Sequence, residues 1–242
     1  MKASTIIQVL CAAHLTWAVE SPWEERGGII LVAPPGQVKT TFLMFLEDFY
    51  GAYISTDLNS QMLAKLKDDI IAERTRTIVI PDMQKLYERH AMVSGNLEGT
   101  LRSMMEEGFI ASSHQDASCI SRKAKALFIS CSTPSFYEGK LQAWRQSGFS
   151  RRIIFCVYTL KDPNCLIKAI DKWKRMEIDR GNDFFIPTRK IPYTVTPRKS
   201  KRLQYFLRKQ TDTTPFVLLK KICCVLHWRW KMLKDRGLDP TM

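Results

Sequence analysis

Runs of aliphatic and β-branched residues recur along the chain at 29–32, 52–55, 77–80, 126–130 and 153–158. Most are continuous rather than alternating and are bounded by Gly, Pro or charged residues, which predicts strands buried on both faces. The segments between them carry apolar residues at helical spacing. Residues 39–49 place Phe42, Phe45, Leu46 and Phe49 on one side, and 61–73 is amphipathic. Residues 83–92 and 97–107 read as two further helices, the second stopped by Gly108. The first segment, to about Val19, reads as a buried helix before Pro22 and Gly27-Gly28 break the chain. Strands alternating with helices of this length predict an α/β fold, a three-layer sandwich on a mostly parallel, doubly wound sheet. No internal repeat is visible.

The pattern changes after residue 160. Residues 162–181 read as a basic helix, and 182–200, with Pro187, Pro192 and Pro197, as an extended linker. Residues 199–209 and 215–236 read as basic helices. Two regions result: an α/β domain over 1–160 and a small basic helical region over 161–242.

Charge sharpens that division. Residues 161–242 hold 20 Lys and Arg against 8 Asp and Glu, whereas 1–160 hold 17 against 16. Nearly all of the net +13 therefore lies in the last third of the chain. A basic surface of this kind suits a polyanion, since each neutralised phosphate releases a counterion, and DNA is expected ahead of RNA. Basic residues there alternate with aromatics: Arg202, Tyr205, Phe206, Arg208 and Lys209, then Trp228, Arg229, Trp230 and Lys231. Phosphates and stacked bases are their natural partners, although Trp228 and Trp230 fit the core of a helical lid better.

Seven irregularly spaced cysteines without a CxxC pair, and four scattered histidines, argue against a disulfide framework and a zinc site. Reduced thiols point to a cytoplasmic setting. The apolar stretch 6–19 is interrupted by Gln8, His14 and Thr16 and falls short of a membrane span, so no membrane association is expected.

The strongest chemical signal is Ala33-Pro34-Pro35-Gly36-Gln37-Val38-Lys39-Thr40-Thr41, between the strand at 29–32 and the helix at 39–49. A phosphate-binding P-loop has Gly, four residues, Gly-Lys, then Ser or Thr. Its backbone amides wrap phosphate, its lysine reaches the β- and γ-oxygens, and its hydroxyl ligates magnesium. Lys39 and Thr40 occupy those two positions, Ala33 replaces the first glycine, and Val38 replaces the second. Val38 is the serious departure, because a β-branched residue resists positive φ. A second signal, Ile78-Val79-Ile80-Pro81-Asp82, ends a strand expected beside the P-loop strand with a carboxylate. Asp82 suits magnesium ordering or water polarisation, with Pro81 in one of the two usual acidic positions. An aspartate capping the helix at 83–92 would occupy the same place.

On these residues the chain resembles the AAA+ branch of P-loop ATPases, whose members often carry Gly-Pro-Pro-Gly-x-Gly-Lys-Thr-Thr in this turn. The resemblance covers residues 1 to about 160. It implies ATP and Mg2+ as cofactors, a γ-phosphate sensor at Thr133 or Ser132, and an arginine finger at Arg151 or Arg152 acting on a neighbouring subunit, hence a homo-oligomer. A C-terminal sensor arginine has no clear place, Arg229 being the one candidate. The function expected is an ATPase that couples ATP binding or hydrolysis to nucleic-acid handling. A degenerate nucleotide- or nucleic-acid-binding module and a monomeric P-loop kinase or transferase are the alternatives.

Overall fold

The computed structural model describes residues 3–21, 24–56, 58–88, 90–110, 120–121, 124–162, 164–165, 167–168, 170–171, 191–192 and 214–235. The continuous aliphatic runs become the strands of a five-stranded, all-parallel sheet. In chain order these are β2 (Gly28–Val32), β3 (Ala52–Ile54), β4 (Thr77–Ile80), β7 (Leu127–Ser132) and β8 (Ile153–Val157). Their spatial order is β3-β4-β7-β2-β8. Every residue of β2, β4 and β7 is buried, whereas the edge strands β3 and β8 are half-exposed. This explains the residue choice: a central strand covered on both faces has no side left for polar residues.

Helices cover both faces. On one lie α1 (Ala3–His14), α2 (Lys39–Met44) and the last helix, α7 (Thr214–Asp235), around Leu31, Ile129, Phe42 and Leu218. On the other lie α3 (Ser60–Ile71), α4 (Gln84–Tyr87), α5 (Ala91–Glu106) and α6 (Pro134–Gln146), around Phe128, Leu101, Met104 and Trp144. The sheet is thus the middle of three layers. α7 is integral to this core: Val217, Leu218, Ile222, Cys224 and Val225 are all buried there. Two small strand pairs complete the described structure. β1 (Val19–Glu20) pairs in parallel with β9 (Ile191–Pro192), and β5 (Phe109–Ile110) pairs antiparallel with β6 (Ile120–Ser121).

The sequence reading needs three corrections. The helix expected over 83–92 is a single turn, α4, and α5 begins at Ala91, capped by the His90 imidazole, which accepts from Met92 N at 3.4 Å. α5 therefore starts six residues before the expected 97; Gly95, Asn96 and Gly99, poor helix formers, had hidden its first turns. Third, β4 is not beside β2, because β7 lies between them. The helices expected at 199–209 and over most of 162–181 fall outside the described residues, as do Arg202, Tyr205, Phe206, Arg208 and Lys209.

His14 illustrates how the layers are joined. It is 3% exposed and meets an acceptor-only partner, the Tyr50 carbonyl, at 3.1 Å from Nε2. Nε2 must then carry the proton, and Nδ1 accepts from the Thr77 hydroxyl at 2.9 Å. Burial pulls its pKa down to about 4, against the opposing pull of the Tyr50 carbonyl. The unfolded chain takes up this proton near the ordinary value of 6.5 and the folded chain does not. Stability is therefore full above pH 6.5 and is lost as pH falls towards 4. Between pH 6.5 and 5, urea unfolding should show a loss of about 2 kcal/mol, at about 1.4 kcal/mol per pH unit. His14→Gln should flatten that interval, and an equal slope in the variant would remove His14 as its cause.

Candidate functional site

The carboxyl ends of β2 and β7 meet where the chain leaves the sheet in opposite directions. β2 leads through residues 33–38 to α2 on one face, and β7 leads through Thr133 to α6 on the other. In parallel sheets this divergence opens a crevice, the usual seat of a ligand. The loop 33–41 forms one wall. It begins tightly tied: Ala33 is fully buried and its amide donates to the Ser132 carbonyl at 3.2 Å. A turn follows, with Gln37 N donating to the Pro34 carbonyl at 3.4 Å and Gly36 at φ 78°.

Val38 then adopts the left-handed conformation, φ 46° and ψ 34°, and caps α2 without a side-chain hydrogen bond. The backbone here takes the conformation glycine would take, with a β-branched residue in its place. That costs about 1–3 kcal/mol and persists only where surrounding structure enforces it. The enforcement is visible. Leu160 N donates to the Gln37 side-chain carbonyl at 2.6 Å, and the Tyr158 hydroxyl donates to the Gln37 backbone carbonyl at 3.2 Å. Tyr158 is itself held by its amide on the Val32 carbonyl at 3.0 Å and by an edge-to-face contact with Phe42. Val38→Gly should therefore stabilise the protein by about 1 kcal/mol, the relieved strain exceeding the added chain entropy and lost packing. A urea midpoint that falls instead would show that Val38 packing outweighs its strain.

Lys39 opens α2 and bends back over the loop, its Nζ donating to the carbonyls of Ala33 at 2.7 Å and Pro34 at 2.8 Å. Thr40 and Thr41, next along α2, are exposed. Their amides, like that of Lys39, belong to a first turn that has no intrahelical acceptors.

The floor of the crevice is the end of β7. Ser130 Oγ donates to the Ile80 carbonyl at 2.7 Å, the Cys131 thiol to the Pro81 carbonyl, and Met83 N to the Cys131 carbonyl at 2.9 Å. The Cys131 thiol reports on its surroundings. Burial pushes it up to about 12, with Lys39 opposing and Asp82 adding to the shift. Asp82 is half-buried, and its Oδ1 accepts from Gln84 N at 3.0 Å in a turn ahead of α4, whose N-cap is Met83 rather than the expected Asp82. With strands about 4.8 Å apart, β4 lies about 10 Å across the sheet from β2. Ser132 is buried, its hydroxyl on the Thr133 carbonyl at 3.2 Å. Thr133 caps α6, its hydroxyl accepting from Phe136 N at 3.4 Å and meeting Ser135 Oγ at 3.4 Å.

Arg151 and Arg152 sit elsewhere, in the turn that enters β8 at the amino end of the sheet. The strand length separates them from the loop by about 15 Å or more. Arg152 is only 5% exposed and is committed to the interior. It pairs with Glu106, lies 3.8 Å from Glu107, and donates to the Gly148 carbonyl at 2.8 Å. Arg151 has a 62% exposed side chain and a 3.5 Å contact to Glu106. The side chains of Arg229, Trp228, Trp230 and Lys231 lie outside the described residues.

Of the sequence-derived candidates, the fold gathers the 33–41 loop, Asp82, Ser132 and Thr133 at one end of the sheet and leaves Arg151 and Arg152 at the other. Sequence reading missed Cys131 beneath the loop and the Gln37 anchors; the latter act across more than 120 residues and leave no local pattern. Among the described residues no three His, Cys, Asp or Glu side chains form a metal-binding group, and no helix is long and apolar enough to cross a membrane. Magnesium needs no protein cage, since one or two carboxylates and bridged phosphates suffice, and this end of the sheet offers the half-buried Asp82 carboxylate and the exposed Thr40 hydroxyl. No protein-family model matches the chain, and no curated protein sequence matches it.

Proposed function

We propose that the chain is an AAA+-like P-loop ATPase that binds magnesium-ATP in the crevice between β2 and β7 and uses it in handling nucleic acid. The observation that carries this reading is the left-handed backbone at Val38, immediately before Lys39. A β-branched residue is a poor choice for that conformation, and strain held at such a turn fits a backbone shaped to cradle a phosphate. The switch-point position of the loop and the nearby Asp82 carboxylate support the same reading.

In this reading the loop amides of residues 36–40 receive the phosphates. Lys39 exchanges its two loop carbonyls for phosphate oxygens, and Thr40 with Asp82 would hold magnesium, which neutralises developing charge. Ser132 and Thr133, at the end of the strand beside the loop, are the γ-phosphate sensor. Arg151, exposed at the opposite end of the sheet, is assigned as the finger that reaches a neighbour's nucleotide in a homo-oligomer. Arg152 positions the turn through its buried pair with Glu106. The basic excess of residues 161–242 supplies the nucleic-acid contact, DNA ahead of RNA.

A non-hydrolysing nucleotide binder is the second reading, favoured by one observation. Pro81 occupies an acidic position, and the Asp82 carboxylate is already engaged with Gln84 N. The experiment is ATP hydrolysis at low salt, with and without single- and double-stranded DNA, beside Lys39→Ala. DNA-stimulated turnover lost in Lys39→Ala supports the ATPase. ATP binding without turnover supports the binder, and neither binding nor turnover overturns both.

A further inference from the structure

A cavity of about 460 Å³ opens at the amino end of the sheet, the end opposite the 33–41 loop. It is built where four connections converge: Trp17 follows α1, Arg26 precedes β2, Arg76 precedes β4 and Lys125 precedes β7. Lys221 enters from α7. The charges are sorted by depth. The Arg76 and Lys125 side chains are each 13% exposed, and Lys221 is 1% exposed. The acidic neighbours of Arg76 and Lys125 lie at the rim, Glu73 58% exposed at 3.8 Å and Glu24 74% exposed at 3.3 Å, whereas Glu25, which acts on Lys221, has one carboxylate oxygen buried. At Arg76 and Lys125 the cation lies deeper than the solvated carboxylate that faces it, which biases that part of the cavity positive.

Its hydrogen-bond ledger is equally one-sided. The Arg76 guanidinium lies 3.4 Å over the Trp17 ring, which fixes it in place. Arg76 Nε, Arg76 Nη1 and Trp17 Nε1 are all buried and find no acceptor among the described residues. Buried donors without acceptors are costly and rare, and three from two neighbouring residues of one cavity call for a ligand that brings acceptors only. Lys221 lies beside them and is already partnered. Its Nζ donates to the Glu25 carbonyl at 2.8 Å, and burial first, then repulsion by Arg26, lowers its pKa to about 7.

We propose that this cavity is a second anion site, which takes a compact oxyanion, a phosphomonoester, with Arg76, Trp17 and Lys125 as its donors. A phosphate group supplies several acceptor oxygens and close to two negative charges, and a planar guanidinium held rigidly is suited to a two-pronged contact with it. The volume leaves space for a substituent of about nucleoside size beyond the phosphate. The site lies at the far end of the sheet from Lys39 and does not depend on the ATPase reading.

The test is calorimetric titration of the full chain with inorganic phosphate in the Lys39→Ala background, which disables the loop at the other end. One phosphate per chain is expected. Arg76→Gln and, separately, the gentler Lys125→Gln should each weaken binding tenfold or more with an unchanged circular dichroism spectrum. No saturable uptake by Lys39→Ala overturns the proposal, as does uptake that both folded variants retain in full. Adenosine monophosphate and a 5′-phosphorylated single strand, each against its 5′-hydroxyl counterpart, then separate a free phosphomonoester from a nucleic-acid end. Preference for either phosphorylated form supports the site, and indifference to phosphorylation in both pairs overturns it.

Discussion

Lys39→Ala is expected to weaken magnesium-ATP binding about 30- to 100-fold and to abolish turnover. Lys39 Nζ donates to two neutral carbonyls, those of Ala33 and Pro34. Its contribution to binding is therefore a difference. Charge-assisted bonds to phosphate are worth about 1.5–3 kcal/mol each and the neutral bonds they replace about 1 kcal/mol each, which leaves about 2–3 kcal/mol in total. At about 1.4 kcal/mol per factor of ten, that is the stated range. The same truncation removes both of these contacts within the loop, so a stability loss of about 1 kcal/mol is expected alongside. Isothermal titration with magnesium-ATP measures the first quantity and urea unfolding the second. A folded Lys39→Ala protein with undiminished affinity would take Lys39 out of the site, and the 33–41 loop with it.

Trp144→Ala should cost about 4 kcal/mol of stability, among the largest losses a single substitution produces. The indole is fully buried at the centre of an aromatic cluster. It stacks on Phe155 with centroids 5.9 Å apart and planes at 15°, and it touches Phe149, Phe136 and Tyr137 at 5.6, 6.1 and 6.4 Å. Its Nε1 also donates to the Tyr87 hydroxyl at 2.8 Å. That hydroxyl donates to Glu98 at 2.6 Å, and Ser147 donates to the other oxygen of Glu98 at 2.6 Å. Truncation thus leaves a large cavity and unlinks α4, α5 and α6 at their common junction. Trp144→Phe keeps most of the apolar area, loses one hydrogen bond, and should cost about half as much. A urea-derived loss below about 1.5 kcal/mol for Trp144→Ala would mean that the cluster refills the space.

The three central strands were legible because burial on both faces forces an unbroken aliphatic run, and 29–32 and 77–80 could hardly be anything else. β7 was placed but cut short: Cys131 and Ser132 were read as the residues after the strand, whereas their backbones continue the ladder beside Leu31 and Val32. Polar atoms inside a strand look like a terminus in sequence. In the fold, the Cys131 thiol donates across to the Pro81 carbonyl and the Ser132 hydroxyl to the Thr133 carbonyl. The 83–92 segment misled for a related reason. Met83, Leu86 and Tyr87 do share a helical spacing, but the His90 imidazole restarts the helix, and histidine is a weak capping cue in sequence.

The sequence alone determined the local elements: which runs are strands, where the turn 33–38 falls, and that Lys39 and Thr40 open the next helix. These follow from steric preferences and burial periodicity, which act within a few residues. The backbone at Val38 went the other way. Its side chain disfavours the left-handed region, and contacts from Leu160 and Tyr158, more than 120 residues distant, anchor Gln37 beside it. Tertiary structure likewise decided that β7 separates β4 from β2, that Arg152 turns inward to Glu106 while Arg151 faces solvent, and that Trp17, Arg76 and Lys125 share one cavity. Each depends on pairing between segments far apart in the chain, whose free energy comes from burying both partners together and so leaves no trace in either one alone.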